Sequence, residues 1–228
     1  MKHPSRIAAE SKPKPLLRGW SHAGAAVAAL ATTIALYALC GDDRPRALSM
    51  LVFGVSMIVL YAVSATYHIG RWQPRTERIL RALDHANIFV LIAGTFTPMC
   101  FNVLEGSFRT TMLTLIWSVA AAGVGLSVFT EHLPRWLTAS LYVGMGWIGV
   151  VLMPAFATHL PWPALGLLLT GGLLYTVGAV IYALQRPDPY PQVFGYHEVF
   201  HLFVIGGSAA FVITVWVFVL PFSRVVAG

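Results

Sequence analysis

Residues 162–184 read WPALGLLLTGGLLYTVGAVIYAL, and residues 48–68 read LSMLVFGVSMIVLYAVSATYH. Neither run contains Asp, Glu, Lys or Arg. At a helical rise of about 1.5 Å per residue, each is long enough to cross a hydrocarbon core of roughly 30 Å. Five more runs of similar character, Trp20–Cys40, Asp84–Phe101, Thr110–Phe129, Trp136–Ala157 and His197–Leu220, bring the candidate spans to seven. The third is the shortest, and Pro154 marks the fifth as a span with a breaker near its end. Over 228 residues the chain is 57% hydrophobic and only 11% charged, against about 25% charged in soluble domains. This excludes a soluble enzyme, a disordered chain and a coiled coil. The runs are longer than the roughly ten-residue alternating strands of a membrane barrel. The expectation is an all-α polytopic membrane protein, a bundle of seven transmembrane helices.

The spans are separated by turn and charge signals, among them residues 41–45 (GDDRP), the stretch from Gly70 to Arg81, residues 131–134 (EHLP) and residues 186–189 (RPDP). Two units follow, a basic tail over residues 1–18 and one bundle over residues 19–228. The tail carries Lys2, Arg6, Lys12, Lys14 and Arg18 and reads as a solvated segment rather than a cleaved signal peptide, since the first apolar run exceeds a typical signal core. Counted at alternate ends of the spans, eleven Lys and Arg fall on the side of the N-terminus, including Arg71, Arg75, Arg78, Arg81, Arg135 and Arg186. Four fall on the other side: Arg44, Arg46, Arg109 and Arg224. The positive-inside rule then places the N-terminus in the cytoplasm and the C-terminus outside. The net charge of +6 is accounted for by these flanking residues, and nucleic-acid binding is not expected. Cys40 and Cys100 both fall near the outer ends of spans, where a bridge is conceivable and small apolar-tolerant side chains are the plainer reading.

Ionisable groups inside or at the ends of spans are functional candidates by default. Four groups qualify: Ser64 with His68, Asp84 with His85, His197 with His201, and Glu198. With the spans alternating in direction, the second ends at His68 on the side where the third opens at Asp84 and the seventh at His197. All therefore lie at one depth, near the cytoplasmic face. His197 and His201 are four apart, so they share one helix face, about 6 Å apart along the axis. Two such imidazoles can reach one ion at Zn–N distances of about 2.0–2.1 Å, with His68 supplying a third nitrogen. Three neutral imidazoles leave a coordination position for water, the pattern of a catalytic zinc site. Imidazole also suits iron, copper or nickel, and zinc is preferred. His3, His132 and His159 read as interfacial or hydrogen-bonded residues, and His85 as a supporting or structural one. His22, at the inner end of the first span, is a subordinate candidate for the site.

Residues 64–68 (SATYH), 83–88 (LDHANI), 93–98 (AGTFTP) and 195–201 (GYHEVFH) resemble the hemolysin III family, the bacterial branch of the progestin and adipoQ receptors. That group is itself linked to the alkaline-ceramidase-like membrane hydrolases. The resemblance covers nearly the whole chain from Trp20 onward, in span number and motif order. It implies a zinc ion on the cytoplasmic side held by His68, His197 and His201. Asp84 would act on the water at that ion, and Ser64 would contact the water or the substrate carbonyl. The expected setting is the bacterial inner membrane. The partners it implies are the bilayer and a lipid substrate; hormone binding is not carried over.

The leading functional expectation is metal-dependent hydrolysis of a lipid amide or ester, with Asp84 and Ser64 as the catalytic groups. A second reading takes residues 197–201 as H-E-x-x-H, with Glu198 as the base of an intramembrane metalloprotease. Such sites want a further acidic ligand downstream, and no Asp or Glu follows His201. A third is non-enzymatic, a membrane-state sensor, regulator or transporter in which zinc staples the second and seventh spans.

Overall fold

The computed structural model of the chain describes residues 15–130 and 133–223. These form seven α-helices: α1 (Trp20–Leu39), α2 (Arg44–Ile69), α3 (Pro74–Val103), α4 (Gly106–Phe129), α5 (Arg135–Ala157), α6 (Trp162–Leu184) and α7 (Tyr196–Thr214). A π-helical stretch, Val215–Val219, prolongs α7. The only β pairing among the described residues is an isolated bridge between Tyr190 and Phe194. Lys2, His3, Arg6, Lys12, Lys14, Glu131, His132 and Arg224 lie outside the described residues. All seven helices are long and apolar enough to cross a membrane.

The helix ends follow local chemistry more than hydropathy. The stretch 41–45 holds the start of α2: the Asp43 carboxylate accepts from the Arg46 amide at 3.1 Å, and Pro45 occupies the first turn. α3 departs furthest from expectation. It begins at Pro74, ten residues before Asp84, so most of the segment from Gly70 to Arg81 is helical rather than a connection. Its first turns, with Arg75, Glu77 and Arg78, are exposed. Hydropathy stops where charges begin, whereas a helix opened by proline and carried by Arg, Glu, Leu and Ala continues. Asp84 consequently sits about 15 Å into the helix and not at its end. Pro154 lies inside α5 without ending it, and Pro98 lies inside α3. Near Pro98, the Thr97 hydroxyl donates to the Ala93 carbonyl at 2.8 Å and the Asn102 amide to the Pro98 carbonyl at 2.8 Å.

α3 is the most buried helix, packed on α2, α4 and α5; α6 packs on α7, and α7 returns to α1. Six helices thus close a ring, and α4 lies outside it against α3, burying little beyond Ile116, Ala120 and Gly123. Apolar side chains such as Val27 (70% exposed) and Val151 (75%) face outward. Such a surface is at ease in hydrocarbon and not in water. Both cysteines are buried and free, with the Cys40 thiol donating to the Leu36 carbonyl at 3.1 Å.

The α6–α7 contact depends on small residues. A Cβ added at Gly207 would lie 2.3 Å from Cδ1 of Tyr175, whereas at Gly206 it would meet only Leu174 at 3.5 Å. Gly207→Val is therefore expected to destabilise the bundle by about 1–3 kcal/mol through overpacking. Gly206→Ala should leave the thermal midpoint near that of the wild type. Melting curves of the two purified variants, read side by side, check this.

Candidate metal centre

α2 ends at Ile69, capped by Gly70, which leaves His68 in its last turn. α7 opens at Tyr196, so His197 and His201 occupy its first and second turns. The packing of α1 against both α2 and α7 brings these ends together. Nε2 of His68 and Nε2 of His197 lie 3.0 Å apart. The ring centroids are separated by 4.5 Å for His68–His197, 4.5 Å for His197–His201 and 5.3 Å for His68–His201. One potential ligand nitrogen from each of the three lies within 4.8 Å of the others, and all three side chains are buried. Nitrogens on one tetrahedral ion with bonds of about 2.0–2.1 Å stand roughly 3.3 Å apart. A single imidazole-to-imidazole hydrogen bond would account for the first pair and leave the third ring unexplained. The three histidines could hold a metal ion.

The acidic and hydroxyl candidates join the same cluster. Oδ2 of Asp84 is 3.5 Å from Nε2 of His68, the nitrogen that also faces His197. The carboxylate therefore stands on the ligating side of the ring, where it can act on the ion or on a water beside it, and not behind the imidazole as an orienting partner. The Ser64 hydroxyl, buried one turn along α2 from His68, lies beside Asp84 as a hydrogen-bond donor. His85 turns toward Tyr182, with ring centroids 6.5 Å apart, and its backbone carbonyl accepts from the Tyr142 hydroxyl at 3.0 Å. His159 is at the opposite end of the bundle, against Phe222.

Glu198 has a different task. Its carboxylate accepts from the Gly195 amide at 2.7 Å and pairs with the Arg18 guanidinium. The segment before α1 reinforces this clasp, since the Leu16 and Leu17 amides donate to the carbonyls of Gln192 and Val193 at 3.0 and 3.1 Å. Gly19 follows at φ 86°, where a Cβ would come within 2.9 Å of the His68 Cβ. A left-handed turn without a side chain is what lets α1 enter beside the site.

His22 is the residue that sequence reasoning undervalued. It is 3% exposed, its ring stacks on His201 with centroids 3.6 Å apart and planes 9° from parallel, and it lies edge-on to Tyr61 at 5.0 Å. The only signal available was a histidine one turn into an apolar run, with no spacing to tie it to the others.

The cluster opens onto one long cavity lined by α1, α2, α3, α5, α6 and α7. Along α3 it runs from Asp84 to Met99, about 22 Å at helical rise, and apart from the site end its walls are almost wholly apolar.

A family profile described as Haemolysin-III related matches residues 10–212. The chain belongs to that family. Hemolysin-3 of Bacillus cereus is 37% identical over 75% of this chain and 74% of its own length. Monocyte to macrophage differentiation factor of Homo sapiens is 27% identical over 86% of this chain and 81% of its own. The adiponectin receptor protein of Drosophila melanogaster is 28% identical over 85% of this chain and 47% of its own. Family membership and seven apolar helices together make this a multi-pass membrane protein.

Two substitutions separate the triad from the clasp. If the three histidines hold an ion, His197→Ala should abolish stoichiometric metal in the detergent-purified protein, because only two imidazoles remain. Glu198→Gln should retain the metal while lowering the melting temperature, because the Arg18 charge loses its ion-pair partner. Elemental analysis paired with melting curves tests both.

Proposed function

We propose that this chain is a zinc-dependent hydrolase of a lipid amide or ester, acting at the cytoplasmic side of the bacterial inner membrane. The observation that carries the reading is the junction of the His68–His197–His201 cluster, with Asp84 beside it, and the long apolar cavity of the bundle. A donor set of three imidazole nitrogens suits zinc. Zinc in such a set supplies a Lewis acid that polarises a carbonyl and acidifies water.

The chain's own residues do the rest. The apolar walls hold the acyl chain, each buried CH₂ contributing about 0.8 kcal/mol, and set the scissile carbonyl at the site end. The Asp84 carboxylate takes a proton from the attacking water and returns it to the departing amine or alkoxide. The Ser64 hydroxyl donates to the carbonyl oxygen as negative charge develops there. Burial keeps these groups from bulk water, which strengthens each of their interactions. The orientation rests on the excess of Lys and Arg at the N-terminal side of the spans. The commitment of Glu198 to Arg18 and to the Gly195 amide speaks against the protease reading, which needs that carboxylate as its base.

Turnover of membrane lipid extracts by the zinc-loaded protein tests this reading. Asp84→Ala at full zinc loading is expected to lose about 10²–10⁴-fold in rate; equal turnover removes Asp84 as the base. If no lipid is cleaved while chelation lowers the melting temperature, the metal is a staple between α2 and α7, and the sensor reading takes the place of hydrolysis.

A further inference from the structure

We infer that His22 is a positioning residue of the metal centre, a fourth histidine that holds the His201 ring in its ligating orientation without binding the ion. The inference rests on the triad as a metal site and not on hydrolysis.

His201 reaches the cluster from the second turn of α7, and its Nδ1 is buried without a hydrogen-bond partner. Ligating histidines ordinarily donate the second ring nitrogen to a carboxylate or carbonyl, and that bond fixes the ring. Of the three rings, His201 is the one with a nitrogen buried and without a hydrogen-bond partner among the described residues. For His201, the nearest ring contact is the face of His22, 3.6 Å away and nearly parallel. His22 is braced in turn by the edge of Tyr61, whose hydroxyl is fixed on Ser208 at 2.6 Å. Ser208 lies on α7 itself, two turns beyond His201. The brace therefore runs from α7 through α2 and α1 and back to α7.

Two features separate His22 from the ligands. No nitrogen of its ring belongs to the set lying within 4.8 Å of one another. An ion also lies close to the plane of each imidazole that binds it, and two rings stacked 3.6 Å apart and almost parallel have no such point in common. The stack itself needs a flat face at position 22 and no particular nitrogen.

The test compares His22→Leu, which fills similar space without a flat face, with His22→Phe, which restores one. Zinc affinity is read by competition with a chromophoric chelator, and ligand geometry by the visible absorption of the cobalt-substituted protein. Melting of the metal-free form reports packing alone. His22→Leu should weaken zinc about 10–100-fold, as loss of an orienting partner does, and shift the cobalt bands. His22→Phe should stay within a few-fold of the wild type, with its bands in place. Unchanged affinity and spectrum in His22→Leu would overturn the inference, as would equal loss in both variants, which would make His22 a donor to the ion. If His22→Leu does not fold, His22→Asn, smaller and planar only at its amide, takes its place with the same expected shift. A wild-type protein that binds no zinc would remove the metal reading itself, an outcome distinct from these.

Discussion

Two imidazole nitrogens 3.0 Å apart, on residues separated by 129 positions in the chain, set the terms for this end of the bundle. Three rings buried at a single point bring polar nitrogens into a region that pays poorly for them unless each has a partner. A shared ion would satisfy all three at once and would tie the helices that carry them to one relative arrangement. α2 has to end, and α7 has to begin, within one turn of the same spot. The long apolar cavity opens from the same point.

The clasp over the site shows how the arrangement is held. Arg18 enters from the segment before α1, Glu198 faces it from the first turn of α7, and the Gly195 amide closes the same carboxylate. The charge pair is unevenly buried, with the Arg18 side chain 17% exposed and that of Glu198 1%. This single carboxylate caps the helix that bears two of the three histidines. Gly19 brings α1 in close beside His68, and that approach delivers His22 to the back of His201.

The candidate site was legible to the extent that spacing and depth could carry it. A four-residue interval put His197 and His201 on one face, and the alternation of spans put His68 and Asp84 at the same level; the structure brings all four together. The role of Glu198 was not legible. Its place inside H-E-x-x-H pointed to a base, but its side chain leaves the cluster for Arg18, a contact across 180 residues that no local pattern encodes. His22 was hidden for the opposite reason: it has no motif at all, only a position. The start of α3 was misjudged because hydropathy measures where a helix is apolar, and helical backbone persists through charged turns as long as its own hydrogen bonds are met.

Composition and periodicity alone determined that the chain is a seven-helix membrane bundle, because uncharged runs of about twenty residues have only one way to satisfy their backbone in hydrocarbon. The histidine spacings determined which residues could share an ion. Only the tertiary structure decided which polar groups face the cluster and which serve the packing, and that the site opens into a cavity about 22 Å long. Those outcomes depend on helix rotation and crossing, which close contacts such as Gly207 against Tyr175 and Gly19 against His68 fix, and a one-dimensional pattern carries no record of them.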